Sequence, residues 1–251
     1  MLLKTSQNNK RDNIFGGLFS SQLACAFSRR SDGNMSLSYG DASRSLDNRR
    51  IFLGRLGIDC EDLVCAKQVH DASVRYADIT DKGKGAVVYD DAIADTDAFI
   101  TDKKNIPITI FTADCLSVFI YDIKTPAIGI VHAGWRSTKE NIVLRAINLM
   151  EAKFNTRADD LYVGFGPAIG RCCYEVSADF NSIFPGFVRE SGDKYYFDLV
   201  GVNKNRLLGA GIKQENIFDS CLCTSCKKED CFSFRREGSS CGRIMSVMML
   251  K

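Results

Sequence analysis

The chain has 251 residues, 45% of them hydrophobic, with 33 basic and 31 acidic side chains. This length and apolar content can bury one large core, so we expect a single domain rather than separate modules. The near balance of charge gives no reason to expect a nucleic acid as partner. Apolar runs are far shorter than the roughly twenty residues of a membrane helix, and the first residues do not resemble a signal peptide. We therefore expect a soluble, cytoplasmic protein without a membrane partner.

Residues 1–20 are polar and contain glycine. We interpret them as a loose N-terminal arm or an edge strand. From residue 63 onward, short segments rich in β-branched and aromatic residues alternate with Gly, Asp, Asn and Pro, a pattern typical of strands and turns. The predicted strands are 63–69, 86–89, 98–101, 108–112, 118–121, 128–131, 161–165 and 243–250. The short connection between the fifth and sixth of these predicts an antiparallel hairpin.

Two helices are also predicted. Ser137 and Glu140 fit a capping box, with Ser137 at the N-cap. One apolar face of the following helix would be formed by Val143, Ile147, Met150 and Phe154. The second helix is expected to start after Asp198 and to stop at Gly209 or Gly211. Hairpin strands mixed with a few helices favour the α+β class over alternating βαβ units.

The two histidines of the chain and one cysteine occupy similar positions in this pattern. His70, Cys115 and His132 each fall at or just past the C-terminal end of a predicted strand. Such ends can converge on one cleft even when they are distant in sequence. Two imidazoles and a thiolate are three ligands that zinc accepts, and a fourth position would stay open for water, phosphate or substrate. The sequence therefore predicts a zinc site of the catalytic type.

His70, Cys115 and His132 could also serve in a copper site or in nucleophilic catalysis. A blue-copper centre has the same equatorial donors and a weak axial Met, but Cys115 and His132 are separated by a whole hairpin and no methionine is near either. Two histidines also cannot supply a multicopper centre. In nucleophilic catalysis, Cys115 would act as a thiolate with His132 or His70 as its base. This second use remains open.

Residues beside the three candidate ligands have both functional and structural interpretations. Asp114 could orient an imidazole or act as an acid or base, or it could be a solvated carboxylate. The turn through Trp135 opens a helix whose free amides and dipole favour an anion. Arg136 could hold that anion, or be an ordinary surface arginine. Trp135 is interpreted as a packing residue rather than a stacking platform.

The eleven cysteines are expected to be reduced, because the sequence shows no export signal. Cys25, Cys60 and Cys65 lie in apolar or mixed surroundings and are interpreted as small core residues. A candidate second metal site, for zinc or an iron–sulfur cluster, consists of Cys221, Cys223, Cys226 and Cys231. Structural thiols and a redox pair are the alternatives for this cluster. Further partners could come from Cys172, Cys173 and Cys241.

Several longer motifs, spread over most of the chain, are unusual in combination. They are Phe27-Ser28-Arg29-Arg30, Asn48-Arg49, Gln68-Val69-His70, Ala94-Asp95-Thr96-Asp97-Ala98, Thr112-Ala113-Asp114-Cys115, His132-Ala133-Gly134-Trp135-Arg136, Gly166-Pro167-Ala168-Ile169-Gly170, Tyr174-Glu175-Val176 and Phe232-Ser233-Phe234-Arg235-Arg236. Together these motifs resemble the YfiH-like family, whose members are often described as laccase-domain or multicopper polyphenol oxidoreductase proteins. Ser137 stands where that family usually has glycine, and most of the Cys221–Cys231 cluster lies outside the family pattern.

The resemblance implies zinc held by His70, Cys115 and His132 in a single domain with a four-layer α/β/β/α arrangement of mixed sheets. It also implies phosphorolysis of adenosine, inosine, guanosine and methylthioadenosine, together with adenosine deamination. Family members have been linked to editing of peptidoglycan precursors as well. The substrates would be purine nucleosides and phosphate.

The implied chemistry assigns roles to particular residues. Phosphorolysis needs a phosphate beside C1′ of the ribose, which the open zinc position and Arg49 or Arg136 could hold. Asp114 would assist proton transfer to the leaving base. Deamination needs an activated water, and zinc lowers the pKa of water. The main prediction is therefore a zinc-dependent purine nucleoside phosphorylase with adenosine deaminase activity.

Other functions were also considered. A metal-free Cys–His amidohydrolase that edits peptidoglycan precursors is the alternative. Less favoured alternatives are a copper-dependent polyphenol oxidase and a redox or metal-storage protein built on the cysteine cluster.

Overall fold

A computed structural model describes residues 13–251 of the chain. The strands are β1 Leu23–Phe27, β2 Val74–Tyr76, β3 Ala98–Thr101, β4 Ile108–Thr112, β5 Leu116–Asp122, β6 Ala127–Ala133, β7 Leu161–Phe165, β8 Glu175–Val176, β9 Val188–Ser191, β10 Lys194–Phe197, β11 Ile217–Asp219 and β12 Ile244–Leu250. The α-helices are α1 Ala42–Gly54, α2 Trp135–Lys139, α3 Ile142–Phe154, α4 Phe180–Ile183, α5 Leu199–Gly209 and α6 Phe234–Glu237.

The largest sheet has six strands in the order β11-β7-β5-β6-β3-β2. Its outer pairs, β11 with β7 and β2 with β3, are parallel, and the inner pairs are antiparallel. The predicted hairpin is confirmed as β5–β6, in which Leu116 pairs with Ala133 and Asp122 with Ala127. Two antiparallel three-stranded sheets, β1-β12-β4 and β8-β10-β9, complete the strand pairing.

The two faces of the six-stranded sheet contribute to separate apolar clusters. Successive strand residues point to opposite faces, so Val118 and Ile120 belong to the cluster that contains Met150 of α3. Phe119, between them in sequence, belongs to the cluster that contains Ile110 of the small sheet. Every residue of β5 and β6 is buried, because both faces of these central strands are covered.

A third apolar cluster joins the small β1-β12-β4 sheet to helix α1. Met245 and Val247 of β12 share this cluster with Phe52 and Leu53 of α1. Strands and helices are thus mixed within one domain, which confirms the predicted class and its mixed sheets. The four-layer order stays a prediction.

Two predicted strands are wrong. Segment 63–69 contributes only isolated bridges, from Val64 to Ile108 and from Ala66 to Ile93. Its apolar residues are buried by packing, which the strand pattern cannot distinguish from burial in a ladder. Segment 86–89 runs from a turn into the start of a short 3-10 helix at Tyr89, and its Val87 and Val88 side chains are exposed. The predicted strands at 98–101, 108–112 and 161–165 are confirmed, and those at 118–121, 128–131 and 243–250 are confirmed apart from their bounds.

The segment 1–20, expected to be a loose arm or an edge strand, is described only from residue 13 onward, and residues 1–12 lie outside the described part. Ile14, Phe15 and Phe19 are buried in the second apolar cluster. The ring of Phe15 packs edge-on against Phe218, and Phe19 does so against Tyr121. From residue 13 onward the segment is therefore packed against the domain.

The helix after β6 starts earlier than predicted. Gly134 is the N-cap of α2, and Ser137 is the third helical residue, whose Oγ accepts the Gly134 N–H at 3.0 Å. Asn141, at a φ of 61°, separates α2 from α3. The sequence did not predict this break, because the apolar positions of α3 follow directly after the Ser137–Glu140 capping pattern and read as one helix. Asp198 does cap α5, where its carboxylate accepts the Gly201 N–H at 2.8 Å.

Candidate metal centre and cavity

The structure brings His70, Cys115 and His132 together. One ligand atom of each residue lies within 4.8 Å of the others, and the two imidazole rings are 4.7 Å apart between centroids. Cys115 directly precedes β5, and His132 is the penultimate residue of β6, so the hairpin delivers two of the three. His70 comes from an irregular loop rather than a strand end and has a φ of 63°.

Asp97 organises both histidines, although the sequence analysis assigned it no role. Its Oδ1 lies 2.7 Å from Nδ1 of His132 and accepts the His70 N–H at 3.0 Å. Its Oδ2 accepts the N–H groups of Val69 and Asp71 at 3.1 and 3.0 Å. A carboxylate on Nδ1 leaves Nε2 of His132 with its lone pair for a cation. The sequence itself shows only an acidic residue immediately before the predicted strand 98–101, and its burial is known only from the structure.

The charges of the trio favour a cation among these residues. Burial on its own would raise the pKa of the Cys115 thiol, but the imidazoles of His132 and His70 outweigh it and lower the pKa to about 6. Burial would lower the pKa of His132, whereas Cys115 and the Asp97 carboxylate raise it to about 9. The pocket therefore stabilises a thiolate and a positive charge beside it, which a metal ion would supply in place of the proton.

Gly134 keeps the space next to the trio open. A Cβ at this position would lie 3.1 Å from Sγ of Cys115 and 3.3 Å from Cδ2 of His70. Any larger residue would press on two of the three candidate ligands. Ser137 holds the same turn, because its hydroxyl contacts the Gly134 N–H and also the His132 carbonyl oxygen at 3.2 Å. The Ser137 hydroxyl thus ties the turn to the end of β6.

A cavity of about 450 Å³ opens beside the trio. This volume lies in the range of small-molecule sites, roughly 300–1,000 Å³. Its aromatic lining consists of Tyr39, Tyr89, Phe111, Trp135, Tyr174 and Phe234. Arginine side chains also line it, namely Arg49, Arg235 and Arg243. Stacking surfaces and cationic donors therefore face the same space as the trio.

Asp114 lines the cavity and is held by two short hydrogen bonds. Its Oδ1 accepts from Thr224 Oγ1 at 2.5 Å, and its Oδ2 accepts the Arg235 N–H at 2.6 Å. The backbone of Asp114 has a φ of 90°, a conformation that L residues rarely adopt. Asp114 is therefore not a solvated carboxylate, which was the structural alternative for this residue. Thr224 and Arg235 are further site residues that the sequence analysis did not single out.

The two predicted arginines occupy different environments. Arg49 is 2% exposed, its Nε donates to the Met35 carbonyl at 2.7 Å, and its Nη1 donates to that of Ala86 at 2.7 Å. Arg49 thus both supports the cavity wall and lines the cavity. Arg136 is exposed, stacks on Trp135 and lines a neighbouring depression that also includes His70.

The predicted cysteine cluster is partly wrong. Cys223 and Cys226 lie together, but their partners are Cys172 and Cys173. Cys221 lies outside the group and is exposed, and Cys231 is 2% exposed within the second apolar cluster. Sequence spacing suggested a local cluster, whereas the fold assembles a cluster from two distant turns. Cys25, Cys60 and Cys65 are buried, as expected.

The fold and this site together describe a mixed α/β domain with a candidate metal centre in a ligand-sized cavity. The chain belongs to the family described as multi-copper polyphenol oxidoreductase laccase, whose sequence profile matches residues 21–251. This confirms the family that the motifs predicted. Within the described residues, no helix is long and apolar enough to cross a membrane.

Relatives with assigned activities support an enzyme of this family. The chain is 32% identical over 225 residues to a protein of Geobacillus stearothermophilus named purine nucleoside phosphorylase YlmD, covering 86% of this chain and 82% of the relative. It is 30% identical to a protein of an unknown prokaryotic organism named adenosine deaminase RL5, covering 84% of each. The crystal structure of Bacillus licheniformis hypothetical protein YfiH superposes with a TM-score of 0.89 at 29% identity, covering 93% of this chain and 94% of that one.

Proposed function

We propose that this chain is a zinc-dependent purine nucleoside phosphorylase that also deaminates adenosine. The observation that carries the proposal is the His70–Cys115–His132 trio, which lies at a cavity with both aromatic and cationic lining. The names of the relatives supply the substrate class. The reaction breaks the N-glycosidic bond, forms a bond between C1′ and a phosphate oxygen, and transfers one proton to the leaving base.

His70, Cys115 and His132 would hold the zinc ion. Two imidazoles and one thiolate fit zinc with an open position, and the Asp97 contact gives His132 the tautomer that a metal ligand needs. When bound, the ion supplies Lewis acidity at that position for phosphate or water. The chain's own residues then have to bind the nucleoside, orient it and handle the proton.

The cavity lining suits a purine nucleoside and an anion. Tyr174 and Phe234 are among the aromatic side chains that can stack on a purine ring, and Arg235 lies over the ring of Tyr174 at 5.4 Å. Asp114 lies between Thr224 and the Arg235 amide, which set the direction of its carboxylate. We assign Asp114 to proton transfer with the leaving base.

Arg49 is the better of the two predicted phosphate contacts. It faces the main cavity from a rigid position, since it is held by backbone carbonyls, and its burial strengthens its interaction with an anion. Arg136 lies in the adjoining depression on the side of His70, where it would act on entering anions. We therefore expect Arg136→Gln to change the phosphate KM by about threefold or less, because exposed charges act weakly.

A second candidate function rests on the contact between Asp97 and His132. With the lowered pKa of Cys115, these residues resemble a Cys–His–Asp arrangement in which the thiolate attacks a carbonyl carbon. The same geometry would suit the alternative amidohydrolase that edits peptidoglycan precursors. Metal content separates the two functions. The hydrolase would need no metal ion, whereas the phosphorylase would lose its activity when the ion is removed.

The test is turnover of adenosine and inosine by the zinc-loaded chain with and without inorganic phosphate. We expect free base and ribose 1-phosphate only when phosphate is present, and inosine from adenosine in both cases. His70→Ala should remove the zinc ion held with Cys115 and His132, and both activities, while circular dichroism stays unchanged, because His70 lies on an exposed loop. Full turnover by metal-free protein, or by His70→Ala, would contradict the proposal.

A further inference from the structure

Four cysteine side chains meet on the surface next to the cavity. Cys172 and Cys173 come from one turn, and Cys223 and Cys226 come from another. Their sulfur atoms all lie within 4.8 Å of one another. The Cys226 sulfur is 3.3 Å from that of Cys173 and 3.6 Å from that of Cys172, and all four thiols are free of disulfide bonds.

Backbone hydrogen bonds hold the two turns together. The Ala168 N–H donates to the Leu222 carbonyl at 3.1 Å, and the Thr224 N–H donates to the Ala168 carbonyl at 3.0 Å. The Gly170 N–H also donates to the sulfur of Cys223 at 3.3 Å. The four thiols are therefore brought together by the fold rather than by chance contact of flexible side chains.

We propose that Cys172, Cys173, Cys223 and Cys226 form a structural zinc site. Zinc binds thiolates at about 2.3 Å in a tetrahedron, which places the sulfur atoms about 3.8 Å apart. Two of the sulfur–sulfur distances are 3.3 and 3.6 Å, and none of the six exceeds 4.8 Å, so the four thiols are spaced closely enough for one such ion. Four thiolates complete the coordination of the ion, so this site binds no substrate.

The second turn has the features of a zinc knuckle. Cys223 and Cys226 have two residues between them in a C-x₂-C pattern, the spacing that lets both sulfurs face one ion. The guanidinium of Arg236 braces this turn, because its Nη1 donates to the carbonyls of Thr224 and Ser225 at 2.7 and 2.9 Å.

This site would stiffen one wall of the cavity. Thr224, next to Cys223, donates to the Asp114 carboxylate, and the Ile169 N–H donates to the Asp114 carbonyl at 2.8 Å. Tyr174, next to Cys173, lines the cavity. An ion that joins the two turns would thus restrict the motion of the residues that hold Asp114 in place. The ion itself would lie outside the cavity.

The experiment counts zinc in the reduced, full-length chain after zinc loading and removal of loose metal. We expect two ions per chain in the parent and one in Cys226→Ser. Cys221→Ser is the matched control, because Cys221 is exposed, is close in sequence and lies outside the cluster; it should keep two. His70→Ala should keep the thiol-bound ion, which separates failure of this proposal from failure of the proposed function.

Cobalt loading of His70→Ala gives a second measurement that requires no cysteine variant to fold. Co²⁺ in the thiol site should show intense thiolate-to-metal charge-transfer absorption and the visible bands of a tetrahedral ion. Three results would overturn the proposal. They are no ion bound by reduced His70→Ala, a disulfide among the four cysteines of protein freshly isolated without added reductant, or an iron–sulfur chromophore at the four cysteines.

Discussion

Substitution of Asp97 by Asn tests how the candidate metal centre is held. Each carboxylate oxygen accepts two hydrogen bonds, Oδ1 from His132 and His70 and Oδ2 from Val69 and Asp71. The Asn NH₂ must replace one oxygen, so either orientation of the amide places a donor against two donors. A hydrogen bond to a charged group contributes about 1.5–3 kcal/mol, so we expect a loss of about 3–6 kcal/mol in the free energy of unfolding.

The same substitution should weaken metal binding, because the amide no longer holds His132 in one tautomer. Loss of such a supporting contact typically lowers metal affinity by about 10–100-fold. Urea unfolding and competition with a zinc chelator measure the two effects. Asp95→Asn is the control, since Asp95 is exposed on the same loop and its φ of 48° suits asparagine. Parental stability and zinc affinity in Asp97→Asn would refute this account of the site.

Three further predictions follow from the described contacts. Cys115 should resist alkylation in the zinc-loaded chain and react after chelation, whereas exposed Cys221 should react in both; a covalent acyl or glycosyl adduct on Cys115 during turnover would instead favour a nucleophile. Phenol oxidation should stay negligible after copper loading, because two histidines cannot form a multicopper centre, and oxygen consumption that scales with copper would contradict this. Burial would raise the pKa of Asp81, but Lys84 and the Asp78 amide lower it. The loss of stability in Asp81→Asn should therefore be largest at neutral pH, begin to shrink below about pH 4 and disappear below the lowered pKa. A difference in unfolding free energy that grows in acid would be the opposite result.

The elements that the sequence predicted well carry their own local signals. The β5–β6 hairpin combines two apolar runs with a short polar connection, and α5 has both a capping aspartate and a terminal glycine. The approach of Cys115 to His132 follows directly from that hairpin. Segment 63–69 failed because its apolar residues are buried by packing, and a one-dimensional pattern records burial without recording which backbone groups pair.

The parts that sequence reasoning missed depend on distant contacts. Asp97 is an ordinary acidic residue until the fold places the 69–71 loop and His132 around its carboxylate. Cys172 was predicted only as one of three possible further partners of the cysteine cluster, because it is 51 positions from Cys223 and only the pairing of their turns identifies the two as neighbours. No local spacing rule could therefore have separated them from Cys221 and Cys231.

The unequal exposure of the two histidines has a kinetic consequence. His132 is 2% exposed at the end of a central strand, whereas His70 is exposed on a loop whose amides are tied to Asp97. An ion at this centre would therefore leave by first detaching from His70, while the hairpin keeps its other two ligands in place. The residence time of the ion is then set by how often the 69–71 loop opens. The centre can therefore bind the ion tightly at equilibrium and still exchange it through movement of the His70 loop.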